Sequence, residues 1–273
     1  VGTPIGNLED MTYRAVRVLG AVSLVAAEDT RAAAVLLGHY GLRTPVVSCF
    51  EGNEATRAAQ LVPRLVAGES MAVISQAGMP LVSDPGGRMV AAALAAGLPV
   101  EVVPGPSAPI AALAVAGLPS AHFAMHGFLP RAAGERAALL ARLRDDQSTQ
   151  LFFESPHRTG KTLRELAASW GGERRGAVAR ELTKVHEEVV RGTLSELAAR
   201  YEASAPRGEV TLVIEGASAE RLGAVRAGDE ALRSEVVRRL AAGDGAKQIA
   251  AELSEALGLP RRVVYQLALE LSR

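Results

Sequence analysis

The chain has 273 residues, 48% of them hydrophobic, which is enough for a sizeable buried core and excludes a disordered chain. Its 30 basic and 30 acidic side chains cancel, so any polyanion must be met by a local patch, and an aromatic content of 4% argues against a surface that stacks a run of single-stranded bases. The single cysteine, Cys49, excludes an internal disulfide and a thiolate metal cluster and points to a reducing, cytoplasmic setting, and no segment reads as a signal peptide or membrane span.

Strand and helix signals alternate from Val1 to about Val103, the pattern of a parallel sheet. Val1 to Pro4 reads as the end of a strand already under way, which implies residues upstream. Thr12 to Leu19 is expected as a helix, Leu24 to Ala27 as a strand, and Thr30 to Leu37 as a helix capped by Thr30. Val46 to Cys49 is the next strand, and Asn53 to Ala67 is a helix despite Pro63. Met71 to Ile74 follows as a buried strand, and Asp84-Pro85-Gly86-Gly87 opens a helix, with Asp84 as cap and Pro85 at the first helical position. A last strand near Val100 to Val103 gives five strand signals before a break at Pro104-Gly105-Pro106.

Beyond the break, Ser107 caps an alanine-rich helix to about Ala116, and the composition becomes mixed. Strands are expected at Phe123 to Phe128, Gln150 to Phe153, Ala177 to Arg180, Glu188 to Arg191 and Glu209 to Ile214, with a hairpin around Lys184. Helices are expected at Gly134 to Arg144, after Ser155-Pro156, and at Thr193 to Arg200. A polar linker, Gly216 to Gly228, precedes helices at Asp229 to Ala241, Ala246 to Leu257 and Arg261 to Leu271, turning at Gly243 to Gly245 and Gly258 to Pro260. These three form either a helix-turn-helix-like module or a plain helical cap. The domains are therefore expected at 1–105, 106–217 and 229–273.

The loop after Ile74 carries Gly78, Gly86 and two prolines beyond a strand's carboxyl end, where α/β sheets bind ligands, and is expected to cradle a small molecule. The turn Gly2-Thr3-Pro4-Ile5-Gly6 lacks the spacing of a dinucleotide site. Glu28 and Asp29 follow a strand end, so one of them either accepts a proton or binds a substrate hydroxyl, or, in the case of Asp29, only serves the dipole of the next helix. Ser107 and Ala108 stand at a helix start suited to an anion, and Glu154, His157 and Arg158 cluster after an aromatic pair. The histidines show no metal-ligand spacing, and patterns for serine hydrolysis and nucleotide hydrolysis are absent.

The segments GTPIGNLEDMTYRA, AAEDTR, AGMPLVSDPG, VPGPSA, GFLPR, FFESPHR, ARELTKVHEE and GEVTLVIEG occur in the order and spacing of one family. In these the chain resembles the bacterial ribosomal RNA small-subunit methyltransferase I family, of the tetrapyrrole methylase fold. The resemblance implies two α/β domains, the first mainly parallel and the second mixed, with a small C-terminal helical module. It implies S-adenosylmethionine-dependent methylation of a cytidine 2′-hydroxyl in the decoding region of 16S ribosomal RNA, by a homodimer without a metal. Carried over by motif, cofactor contacts fall on Pro4, Ser75, Gln76, Ala77, Gly78, Ser107, Ala108, Glu154 and Leu182. Candidates for proton removal are Asp29, Glu28, Glu154 and His157, and for phosphate contacts Arg31, Arg131, Arg136, Arg158 and Lys161.

Where the family usually reads SDAGTP, this chain has Ser75-Gln76-Ala77-Gly78-Met79-Pro80, an amide in place of an acid. That exchange weakens a charge-assisted hydrogen bond to the cofactor. Two competing readings stay open: a methylase of small tetrapyrroles on the same fold, and a non-enzymatic RNA-binding or ribosome-assembly protein that kept the fold while Gln76 and Met79 weakened the cofactor site.

Overall fold

Small residues at the centre of the first sheet set how closely its helices approach. The computed structural model describes residues 1–257, 259 and 261–272, with the backbone alone at 220–222, 224–227 and 229. In it β1 (Leu24–Ala27) lies between β2 (Val46–Ser48) and β3 (Met71–Ile74), all parallel. Side chains alternate across β1: Val25 and Ala27 pack with α1 (Tyr13–Ala21) and α2 (Thr30–His39). Leu24 and Ala26 pack on the other face with α3 (Glu54–Val66) and α4 (Gly87–Ala95).

This sheet has three strands where five strand signals were read. Near residue 3 the chain makes only an isolated bridge, Thr3 to Gly78, and Val103 offers its carbonyl to the Gly2 N–H at 2.9 Å. Neither segment gains the second row of bonds that a ladder needs. The cap of α2 also differs from expectation. Asp29, one residue earlier than Thr30, accepts from the N–H groups of Arg31 (2.8 Å) and Ala32 (3.2 Å).

After α5 (Ala108–Ala116) a mixed five-stranded sheet runs in the order β4 (Phe123–Phe128), β5 (Thr149–Glu154), β8 (Val210–Ile214), β6 (Arg175–Arg180), β7 (Glu188–Thr193). β4 and β5 are parallel, the other pairs antiparallel, and β6 and β7 form the expected pair around Lys184. On one face Leu212 and Ile214 meet α6 (Ala133–Leu143), α7 (Thr159–Trp170) and α8 (Leu194–Ala203) around the buried Trp170, whose indole N–H donates to the Leu140 carbonyl at 2.8 Å. On the other face Leu151, Ala177, Ala179 and Val213 receive Ala112, Leu113 and Ala116 of α5 together with Ile5.

The chain separates into two compact units, Val1–Gly216 and Ala217–Arg273, and both sheets belong to the first. In the second unit α9 (Ala219–Ala241), α10 (Ala246–Leu257) and α11 (Arg261–Leu271) enclose Val236, Ile249, Leu253, Val264 and Ala268. The segment expected as a linker is thus helical from residue 219. Gly223 and Gly228, each costing about 1 kcal/mol in a helix, gave it the look of a loop, but the alanines, glutamate and arginines around them are good helix formers. The turn expected at Gly258 to Pro260 lies partly outside the described residues. No described helix is long and apolar enough to cross a membrane.

Candidate active site

The loop from Ser75 to Gly86 follows β3 and bends through four residues of positive φ: Gly78 (79°), Leu81 (72°), Ser83 (66°) and Gly86 (124°). Leu81 and Ser83 each carry strain of about 1–2 kcal/mol in that region, so the loop must be held from outside. One anchor is the bridge at Thr3, whose N–H lies 2.9 Å from the Gly78 carbonyl, with the return bond at 3.2 Å. A second comes from α3: Oε1 of the buried Glu54 accepts from the N–H groups of Gly86 (2.9 Å), Arg88 (2.6 Å) and Met89 (3.3 Å).

Glu54 therefore caps α4 from a different helix, where the sequence pointed to Asp84. Gly86, not Asp84, is the N-cap residue, and it has no side chain with which to cap. Asp84 is released into the wall of a cavity. A third constraint is the contact of Gly2 with Gly105, where a Cβ on Gly2 would stand 2.7 Å from the Gly105 Cα. Bare backbone at both places lets the first turn lie against the segment leading to α5.

The cavity holds about 430 Å³, within the range of small-molecule sites. It is bounded by the loop after β3, the start of α5, the ends of β4 and β5, Leu182 after β6, and residues 208–211. Its lining is one-sided: it includes the acidic residues Glu28, Asp84, Glu209 and Glu154, the last with its side chain fully buried, and no lysine, arginine or histidine among the described residues. Burial, and then the Glu28 charge, push the Asp84 carboxyl up to about 6, against a hydrogen bond from Ser75 that lowers it. Glu28 itself accepts from the Gln76 N–H at 3.3 Å.

The other two acids are engaged. Glu154, buried, accepts from the Ser155 N–H (2.7 Å) and the Thr162 hydroxyl (2.6 Å) and lies 3.5 Å from the Arg158 guanidinium. Glu209 pairs with Lys184 at 2.9 Å. Phe128 and Phe153 stand side by side in the wall, ring centres 5.5 Å apart.

Of the residues suggested for a cofactor, Gln76, Ala77, Gly78, Ser107, Ala108, Glu154 and Leu182 line this cavity. Pro4 is not in the wall, its neighbour Ile5 is, and Ser75 is buried beneath the loop with its hydroxyl 3.2 Å from the Ala77 carbonyl. Of the proton acceptors suggested, Glu28 and Glu154 are in the wall. Asp29 is not, and its two backbone hydrogen bonds at the start of α2 hold its carboxyl below the usual range. His157 is exposed on a short 3-10 turn, Pro156–Arg158, outside the wall.

The suggested phosphate ligands also divide. Arg31, Arg131 and Lys161 are exposed, whereas Arg136 is buried and forked onto Glu165 at 2.6 and 2.9 Å, its other nitrogen donating to the carbonyls of Pro130 and Arg131. Arg158 faces Glu154 and the Leu129 carbonyl. Reasoning from sequence missed Asp84 and Phe128 as wall residues. The motif around Asp84 matched a helix start too well, and the GFLPR segment gave no sign that Phe128 would be 60% exposed beside a cavity. No group of three or more His, Cys, Asp or Glu able to hold a metal ion occurs among the described residues.

Residues 1–198 match the family model of Tetrapyrrole (Corrin/Porphyrin) Methylases, and residues 227–272 match the RsmI C-terminal HTH domain. Ribosomal RNA small subunit methyltransferase I of Synechocystis sp. is 44% identical over 99% of this chain and 96% of its own length. The protein of that name from Mesorhizobium japonicum is 42% identical over 99% of this chain and 90% of its own. Uroporphyrin-III C-methyltransferase from Thermus thermophilus, solved in complex with S-adenyl homocysteine, is 21% identical and superposes with a TM-score of 0.51 over 76% of this chain and 92% of that one. Similarity that runs through both sheets and on into the helical unit makes the chain a member of the ribosomal RNA small subunit methyltransferase I family, on the tetrapyrrole methylase fold.

Proposed function

We propose that the chain methylates the ribose 2′-hydroxyl of a cytidine in the decoding region of 16S ribosomal RNA, using S-adenosylmethionine, in the cytoplasm and as a homodimer. The observation that carries this reading is the charge of the cavity: acids without a base suit a cationic guest and would repel a nucleotide phosphate. S-Adenosylmethionine supplies a methyl group already activated on a positively charged sulfur. Glu28 and Asp84 offset that charge, and Ile5, Ala77, Met79 and Leu182 offer apolar wall to the rest of the molecule. Ser107 makes no capping bond of its own, which leaves its hydroxyl and the first amides of α5 for the amino-acid end. Gln76 adds an exposed side-chain amide to the same wall.

The protein's remaining task is placement, holding the hydroxyl in line and keeping water out. The phosphates on either side of the target sugar fall to Arg31, Arg131 and Lys161, the suggested cations whose side chains are exposed. On this reading the chain works as two lobes, 1–105 and 106–217, with the cofactor in the cleft between them, and 229–273 as an added RNA-binding module.

Mass spectrometry of 16S RNA fragments, after incubation of small subunits with the protein and labelled cofactor, tests the reading. One added methyl on a decoding-region cytidine ribose is expected; binding of corrinoid precursors without modification of RNA overturns it. Calorimetric titration with the cofactor separates an enzyme from a protein that only binds RNA, which would give no heat even at millimolar cofactor.

A further inference from the structure

We infer that Asp84 is the group that takes the proton from the target ribose hydroxyl, and that Glu28 is its positioning partner. The inference rests on the methyltransferase reading above and deepens it.

The geometry selects Asp84 by what the other acids are doing. Asp29 is outside the wall and spends its carboxylate on two N–H groups of α2. Glu154 is held by Ser155, Thr162 and Arg158, and Glu209 by Lys184. Among the wall acids that leaves Glu28 and Asp84, neither of them in an ion pair among the described residues: Glu28 accepts from a fixed main-chain donor, the Gln76 N–H, and Asp84 from the rotatable Ser75 hydroxyl. Asp84 would ordinarily cap α4, but Glu54 has taken over that duty on Gly86, Arg88 and Met89. The strained turn at Leu81 and Ser83, kept in place by that cap, puts Asp84 in the cavity wall.

The surroundings make Asp84 a better base than a free carboxylate. Charged groups near it are Glu28 after β1, Glu54 behind the loop, Glu154 at the end of β5 and Glu209 before β8, while Arg88 at the start of α4 is exposed. Burial first, and then the Glu28 charge, raise the proton affinity of Asp84 to about 6, close to the working range of a general base. In the step itself the hydroxyl oxygen forms its bond to the methyl carbon as the carbon–sulfur bond breaks. The bonding pair stays on sulfur, which becomes a neutral thioether, and the hydroxyl proton passes to an Asp84 oxygen.

Three measurements on the full chain test this. Calorimetry with S-adenosylhomocysteine is expected to give D84N an affinity within about threefold of the parent, while single-turnover methylation of small subunits falls by about 10²-fold or more. In E28Q the acidic limb of the pH–rate profile moves down by about one pH unit, and the carbon-13 titration of the Asp84 carboxyl, followed without RNA, moves with it. D84E is expected to recover part of the lost rate.

A D84N protein that methylates at the parent's rate, or that loses S-adenosylhomocysteine affinity in step with its rate, overturns the assignment and leaves the methyltransferase reading standing. An Asp84 titration that ignores E28Q removes Glu28 from its role. A parent chain that methylates no small subunit overturns the reading and the assignment together.

Discussion

Glu54 and Gly86, 32 positions apart, are joined by a 2.9 Å hydrogen bond from the Gly86 N–H to Oε1 of Glu54. Because the same oxygen also accepts from Arg88 and Met89, one buried carboxylate satisfies two of the orphan donors in the first turn of α4 as well as the N–H of its cap residue. Glu54→Ala leaves those donors in a dry site and is expected to cost about 3 kcal/mol in urea unfolding. Glu54→Gln keeps an acceptor and is expected to cost less than half as much. Both should weaken S-adenosylhomocysteine binding, since the loop that depends on the cap forms one wall of the cavity.

Asp84 gives the fold a pH dependence of defined sign. Its folded value, about 6, lies above the 3.8 of an unfolded aspartate, so the native state holds the proton more tightly. Stability from this group is complete below about pH 3.8 and is lost as the pH rises through about 6. Asp84→Asn removes the penalty and is expected to raise stability at pH 7.5 by about 1–2 kcal/mol, with no gain at pH 3.5. Thermal melts of both proteins across that range check it.

Arg136 and Arg131, five positions apart, should separate cleanly in solution. The buried Arg136 forks onto Glu165 and holds that carboxyl below the usual range. Arg136→Ala is expected to cost about 2–3 kcal/mol and to leave the salt dependence of small-subunit binding unchanged. Arg131→Ala and Lys161→Ala are expected to leave stability within about 0.5 kcal/mol while each lowers the salt slope of binding by about one. Denaturant melts and binding at graded salt separate the two kinds of residue.

Position 76 tests the amide that stands where the resemblance leads one to expect an acid. Gln76 lines the cavity and is exposed, so a carboxylate there can reach a cationic guest. Gln76→Asp is expected to tighten S-adenosylmethionine binding by about tenfold, roughly the step from a neutral to a charge-assisted hydrogen bond. Calorimetry reads the change, and a weaker variant would count against this account of the loop.

Elements built from neighbours were legible in the sequence. The apolar runs Leu24–Ala27 and Met71–Ile74 are strands with the bounds their hydrophobicity implied, and the pair flanking Lys184 is a hairpin because its turn is local. Features that depend on distant partners were not. Asp84-Pro85-Gly86 has the chemistry of a helix start, and only the arrival of Glu54 from α3 assigns the cap elsewhere and the aspartate to the cavity. Arg136 reads as one more basic residue until Glu165 of α7 comes beside it. Val100 to Val103 has strand composition but finds one ladder bond, which composition does not record. Gln76, Ala77, Gly78, Ser107 and Leu182 could be placed in the wall because resemblance supplied what periodicity lacks, a register for loops.

Gly2 and Gly105 meet main chain to main chain, and a Cβ on either would stand within 3 Å of the other's backbone. No rotamer relieves such a collision, so a replacement at one position cannot be accommodated by trimming a neighbour. The gap available to a guest is thereby inherited from a pair of naked α-carbons, neither of them among the residues that line it.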